Sequence, residues 1–176
     1  LDRVRIAVDM VEANAIMIHL NPLQESVQVE GEPEFSGALA RIQELTNAVD
    51  LPVVVKETGA GISAEVARNL ERAGADGVDI AGAGGTSWAA VEYHRARRKG
   101  SKLHEYLGRS FWNWGIPTVA SIVEAAKSTN LIIFASGGVR NGLHIAKSLA
   151  LGSHFAGMAL PLLLSLIHIS EPTRPY

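Results

Sequence analysis

Residues 131–152 read LIIFASGGVRNGLHIAKSLALG. An apolar run of strand length (Leu131–Ser136) passes into Gly137-Gly138-Val139-Arg140, then into a helical pattern from Asn141 to Leu151 that stops at Gly152. The unit is strand, polar loop, helix, and it recurs along the chain. AIMIHL (15–20) ends in NPLQE (21–25), LPVVV (51–55) runs into Lys56 and Glu57, and GVDIAG (77–82) precedes AGGTS (83–87). A fifth run, HFAGMAL (154–160), is interrupted by Gly157. Helical patterns span Val4–Ala13, Ala38–Val49, Ile62–Ala73 and Pro117–Lys127. Ser63 is a candidate N-cap and Gly74 a stop for the third of these, and Thr118 or Ser121 lies near the start of the fourth. Runs apolar on both faces suit parallel strands covered by helices. The expectation is an α/β fold with a parallel sheet.

Composition supports a folded core and narrows the partners. The 176 residues carry 16 Lys+Arg against 18 Asp+Glu, a net charge of −2, and 47% are hydrophobic. That balance argues against disorder, and against bulk binding of nucleic acid or an anionic membrane. The absence of cysteine excludes a disulfide framework, a thiolate zinc site and a cysteine nucleophile. The longest apolar stretch, Ala156–Ile167, is too short to span a bilayer and contains Pro161 and Ser165. Basic residues in HRARRK (94–99) precede the aromatic stretch Phe111-Trp112-Asn113-Trp114, a mixture that can contact nucleic acid. With the chain net acidic, an exposed helix followed by an insertion that packs its tryptophans on the rest of the fold is the favoured reading.

In parallel α/β folds, ligands meet the loops that leave the carboxyl ends of strands. The informative polar residues sit there: His19, Asn21, Gln24 and Glu25, then Lys56 and Glu57, then Gly84, Gly85 and Thr86, then Gly138 and Arg140. Gly137-Gly138-Val139-Arg140 ahead of a helix suits a phosphate cradle, because glycines let backbone N–H groups approach an anion. A bare tight turn is the alternative. Lys56 closes an apolar run and needs an anionic partner, which Glu57 or the phosphate or electron-rich ring edge of a cofactor would supply. Glu25 is one carboxylate, too few for a metal cage, but suited to Mg²⁺ that shares substrate phosphates, or simply to capping its loop.

Taken together, these strings resemble the type 2 isopentenyl-diphosphate isomerases, FMN-dependent enzymes on a TIM (β/α)8 barrel. The resemblance is carried by IHLNPLQE (18–25), VVVKETGAGIS (53–63), GADGVDIAGAGGTSW (74–88), GIPTVASIVEA (115–125), IIFASGGVRNGLHIAKSLALGS (132–153) and GMALPLL (157–163). It implies a cytoplasmic enzyme that interconverts isopentenyl and dimethylallyl diphosphate. Reduced FMN would act as acid and base, with Mg²⁺ and with NADPH or another reductant. It also implies a small-molecule diphosphate substrate, and a homo-oligomer at full length. By the same resemblance, Gln24 contacts substrate near its double bond as the catalytic residue, His19 and Asn21 line the substrate pocket, and Glu25 helps hold Mg²⁺. Lys56 touches the flavin, Thr86 helps bind FMN, and Gly138, Val139 and Arg140 with Ala159 and Leu160 hold the FMN phosphate.

The resemblance also defines departures. Bulkier apolar residues are expected where Thr58 and Ala60 stand. A full barrel takes about 250 residues and eight strands, and the five units here align with the fourth to eighth. Residues 1–164 are therefore expected to form a partial barrel. Residues 165–176 form an atypical tail, whose Pro172 and Pro175 cannot extend a helix. A 2-hydroxy-acid oxidase-like barrel is the nearest rival, but neither Ala83–Thr86 nor Ser136–Val139 carries the histidine of its His-Gly-Gly-Arg motif. An inosine-monophosphate-dehydrogenase-like barrel would need a cysteine. A barrel fragment with no activity of its own is the remaining alternative.

Overall fold

Five short parallel strands, paired in chain order, carry the fold in the computed structural model, which describes residues 1–169. They are β1 (Ile16–His19), β2 (Val53–Lys56), β3 (Gly77–Asp79), β4 (Ile132–Ala135) and β5 (Phe155–Ala156). The helices are α1 (Asp2–Val11), α2 (Pro22–Val27), α3 (Ala38–Thr46), α4 (Ala64–Arg72), α5 (Trp88–Lys99), α6 (Lys102–Ser110), α7 (Thr118–Ser128), α8 (Gly142–Ala150) and α9 (Leu160–Ile169). The expected α/β architecture is thus realised. Among the described residues, no helix is long and apolar enough to cross a membrane.

Side chains alternate across each strand, so register decides which residues share a face. Ile18, Val55, Val78 and Ile133 stand side by side across β1 to β4. All four belong to the core or pack against it, together with Leu70 of α4 and Ile122 of α7. The next row, His19, Lys56, Asp79, Phe134 and Phe155, therefore points to the opposite face. That face is only half covered: Met17 is 49%, Ile132 41% and Phe155 54% exposed.

Local chemistry sets the element ends. Ser63 accepts the Val66 N–H at the start of α4, Ser87 that of Ala90 in α5, and Asn141 that of His144 in α8. Each satisfies a helix-terminal donor that would otherwise lack a partner. Thr118 and Ser121, by contrast, do not cap α7, whose N-cap is Pro117 with no side-chain hydrogen bond. The Thr118 hydroxyl donates instead to the Gly137 carbonyl at 2.7 Å, and the Ser121 hydroxyl to that of Ile62. These hydroxyls join loops rather than start a helix.

Other expectations are corrected. The fifth apolar run makes only a two-residue strand, followed by one further ladder bond from the Gly157 N–H to the Ala135 carbonyl at 2.8 Å. Leu160 already begins α9, with Pro161 in the first turn, where its missing N–H costs nothing. The tail expected from residue 165 overlaps α9, which continues to Ile169, and its remainder, residues 170–176, lies outside the described residues. The stretch between β3 and α7 forms two helices, α5 and α6. Trp112 packs edge-on against Tyr93 and His94 rather than on the sheet, and Trp114 is 63% exposed.

Leu70 is fully buried between α4 and the sheet. Leu70→Ala is expected to lower the unfolding free energy by about 2–5 kcal/mol, through lost transfer energy and the cavity left behind. A shift in the urea midpoint checks this.

Candidate active site

The carboxyl ends of the strands gather the polar residues. β1 delivers His19, then turns through Asn21 into α2, where Gln24 and Glu25 sit in the first turn. Glu25 is drawn into its own loop. Its carboxylate accepts from Asn21 Nδ2 at 2.7 Å, Gln28 Nε2 at 2.6 Å and the Glu32 N–H at 2.9 Å. The Glu32 N–H, followed by the two amides, holds this carboxyl below the usual Glu range. Among the described residues no three His, Cys, Asp or Glu side chains converge as a metal cage.

Gln24 points elsewhere. Its Nε2 donates to Glu92 Oε1 at 3.0 Å, and Glu92 of α5 is only 1% exposed. Arg95 Nη1 donates to both Glu92 oxygens, at 2.9 and 3.0 Å. Arg95 also meets Glu30, to which Lys99 donates at 2.8 Å. A carboxylate only accepts, so the amide nitrogen of Gln24 is fixed toward Glu92 and its carbonyl oxygen faces away. The paired cations also account for part of the basic stretch in α5 as internal ion pairing. Sequence reading missed Glu92. Its signal was spacing, since Ala89, Glu92 and Ala96 form one buried face of an otherwise polar helix.

Lys56 and Glu57 do not form a carboxylate–ammonium pair. Lys56 Nζ donates to the Glu57 main-chain carbonyl at 2.7 Å. The Glu57 carboxylate turns back to accept the N–H groups of Thr58 and Ala60. Burial raises the Glu57 pKa, against the pull of those N–H groups and of Lys56. Burial and then Lys56 lower the His19 pKa, with Glu25 opposing. On β3, Asp79 accepts from the Ser136 hydroxyl and from the Ala81 N–H at 3.3 Å. Ala81 takes φ +38°, a left-handed conformation that a side chain makes costly.

The glycine loops after β3 and β4 meet backbone to backbone. A Cβ on Gly138 (φ +84°) would lie 2.2 Å from the Gly84 carbonyl oxygen, and one on Gly137 would lie 2.3 Å from that of Gly82. The Gly82 N–H donates to the Ser136 carbonyl at 3.1 Å. Beside this junction is a cavity of about 330 Å³, lined by Thr86, Gly138, Val139, Arg140, Ala159 and Leu160 among others. Six of the expected cofactor residues thus share one cavity, where glycine main chain meets the Thr86 hydroxyl and the Arg140 cation, a combination that suits a phosphate. Lys56 and Glu57 instead border a larger, mainly apolar cavity of about 760 Å³ between α2, α4 and residues 111–116. His19, Asn21, Gln24 and Glu25 line neither.

The family model described as FMN-dependent dehydrogenase matches residues 11–172. The chain is 52% identical over 163 residues to the isopentenyl-diphosphate delta-isomerase of Pyrococcus abyssi, covering 93% of this chain and 43% of that protein. It is 52% identical over 157 residues to that of Pyrococcus furiosus, covering 89% and 39%. It is 51% identical over 162 residues to that of Methanothermobacter thermautotrophicus, covering 92% and 45%. The chain therefore spans less than half the length of these relatives.

Two outcomes are expected from this geometry. Gly138→Ala forces a side chain into a left-handed position against Gly84, and should cost about 1–3 kcal/mol from backbone strain alone, read from denaturant unfolding. The folded Glu57 pKa lies above the usual 4.5, so the native state binds that proton more tightly than the unfolded chain. Its contribution is complete below the ordinary carboxylate range and is lost as pH rises through the folded value. The stability of the wild type relative to Glu57→Gln should therefore fall as pH rises across that window. A pH-independent difference would contradict the assignment.

Proposed function

We propose that this chain, which belongs to the FMN-dependent dehydrogenase family, supplies the last five strand–loop–helix units of an eight-stranded barrel that interconverts isopentenyl and dimethylallyl diphosphate. The barrel reading is supported by parallel strands paired in chain order, and by a second sheet face whose Met17, Ile132 and Phe155 want cover. The reaction reading takes its support above all from the curated relatives, and the cofactor reading from the cradle around Gly138.

The residues lining the cradle suit the phosphate of FMN, because glycine main chain, the Thr86 hydroxyl and the cationic Arg140 border one cavity. Val139 and Arg140 would approach that phosphate from the loop after β4, Thr86 from the loop after β3, and Ala159 and Leu160 from the start of α9. Lys56 keeps N–H donors beyond the one spent on the Glu57 carbonyl, and its charge is not cancelled by the Glu57 carboxylate. It is thus suited to an electron-rich ring edge or an anion. Reduced FMN, replenished by NADPH, would supply the proton exchange at carbon when bound.

The chain's own residues orient the substrate. Glu92 holds the Gln24 amide by its nitrogen, which leaves the carbonyl oxygen as the polar atom available near the double bond. His19 and Asn21 would border the substrate, with the Asn21 side chain already committed to Glu25. Glu25 would meet Mg²⁺ on the diphosphate, the remaining ligands coming from substrate oxygens and water. Charge neutralisation and fixed orientation are the protein's share of the catalysis.

The test begins with FMN titrated into the chain and flavin fluorescence recorded. Binding is expected, and Arg140→Ala should weaken it. With the flavin reduced, conversion of isotopically labelled isopentenyl diphosphate should follow. Gln24→Ala should lower turnover by about 10²-fold or more while flavin content stays unchanged. Bound flavin that oxidises 2-hydroxy acids would instead favour an oxidase. Absence of both flavin and turnover would favour a fragment with no activity of its own.

A further inference from the structure

Thr58 stands at a position where a bulkier apolar residue was expected, and its hydroxyl has two close neighbours. Thr58 Oγ1 lies 2.9 Å from the Leu20 main-chain oxygen and 3.1 Å from His19 Nε2. A hydroxyl carries one hydrogen, and a carbonyl oxygen only accepts. The Thr58 hydrogen is therefore spent on Leu20, and the contact with His19 is favourable only if His19 Nε2 carries a hydrogen and donates it. The reverse assignment would bring two oxygen lone pairs face to face at 2.9 Å. A side chain with no hydroxyl at position 58 would impose neither bond.

We propose that Thr58 is a positioning residue that locks His19 in its Nε2–H tautomer, so that Nδ1 presents a lone pair and meets the ligand as a hydrogen-bond acceptor. The charged groups around the ring are Lys56, its register partner on β2, and Glu25 on α2. Burial and Lys56 favour the neutral ring and outweigh the opposing carboxylate. A neutral ring with a bare Nδ1 accepts from an O–H or N–H donor. It offers nothing to an ionised phosphate oxygen, which itself only accepts. If His19 borders the substrate, as the proposed function holds, it faces a water or another proton-bearing group. The diphosphate is then left to Lys56 or to a metal. The tautomer assignment itself rests on geometry alone and stands apart from the reaction.

The experiment is long-range ¹⁵N–¹H NMR of the chain with ¹⁵N-labelled histidine at neutral pH, with the His19 signals identified by their loss in His19→Gln. His154 and His144 serve as internal references. Their Nδ1 atoms accept the N–H groups of Ile133 at 3.1 Å and Arg140 at 3.3 Å, so both rings also carry hydrogen on Nε2. His19 is expected to show a protonated Nε2 and a bare Nδ1 in the wild type and in Thr58→Ser. In Thr58→Val the tautomer ratio should move about five-fold or more toward Nδ1–H, the effect of losing one neutral hydrogen bond. A wild-type His19 protonated on Nδ1 overturns the proposal, and so does an unchanged ratio in Thr58→Val with the reference signals intact. The wild-type spectrum decides even if Thr58→Val fails to fold, and it needs no turnover, so a failed isomerase assay leaves this result standing.

Discussion

The register of the sheet is the constraint on which the rest depends. Ile18, Val55, Val78 and Ile133 form one buried line against the helices, and their alignment obliges His19, Lys56 and Asp79 to emerge together on the other face. A slip of one residue in β2 would exchange its two faces. Lys56 would then be driven beneath α4, and a valine would be turned out at the mouth. The cost of burying an unpaired ammonium makes such a slip prohibitive. Packing in the interior thus determines which chemistry reaches the rim.

A second layer of order comes from side chains that satisfy main-chain groups of distant segments. Ser121 joins Ile62, Thr118 joins Gly137, Glu124 takes the Ala64 N–H at 2.9 Å, and Glu71 that of Asn130 at 2.7 Å. The loops at both ends of the sheet are in this way held without regular structure of their own. The same device operates within the site, where Glu57 ties down the turn after β2, and Glu92 links the start of α2 to the middle of α5. The ion pairs of Arg95 and Lys99 with Glu30 lie at the surface and add little stability individually. Arg95, held by Glu30, engages Glu92 from one side while Gln24 meets it from the other.

How far the sequence reveals this arrangement depends on the range of the interaction. The strands at Val53–Lys56 and Ile132–Ala135 are legible because consecutive β-branched residues and flanking polar loops leave few alternatives. The run at 154–160 is not. Apolar residues serve strand and helix equally, and the chain turns from one to the other at Gly157. Thr118 and Ser121 mislead for a related reason, because a hydroxyl near a helix start reads as a cap whatever carbonyl it meets in space. The site residues at strand ends follow from the repeating unit, and residues from the last two glycine loops do share one cavity. Glu92, and the bond that Thr58 makes to His19, escape notice because the partners lie 68 and 39 positions away, beyond any local pattern.

The contact between the glycine loops has a consequence for how this sequence can change over time. Gly84 and Gly138 meet through main-chain atoms, and neither has a side chain that can be trimmed to make room for growth in the other. A replacement at one must be accompanied by displacement of an entire loop at the other. Single-step variation here therefore carries a cost that only a shift of the facing loop relieves, which couples two loops more than fifty residues apart.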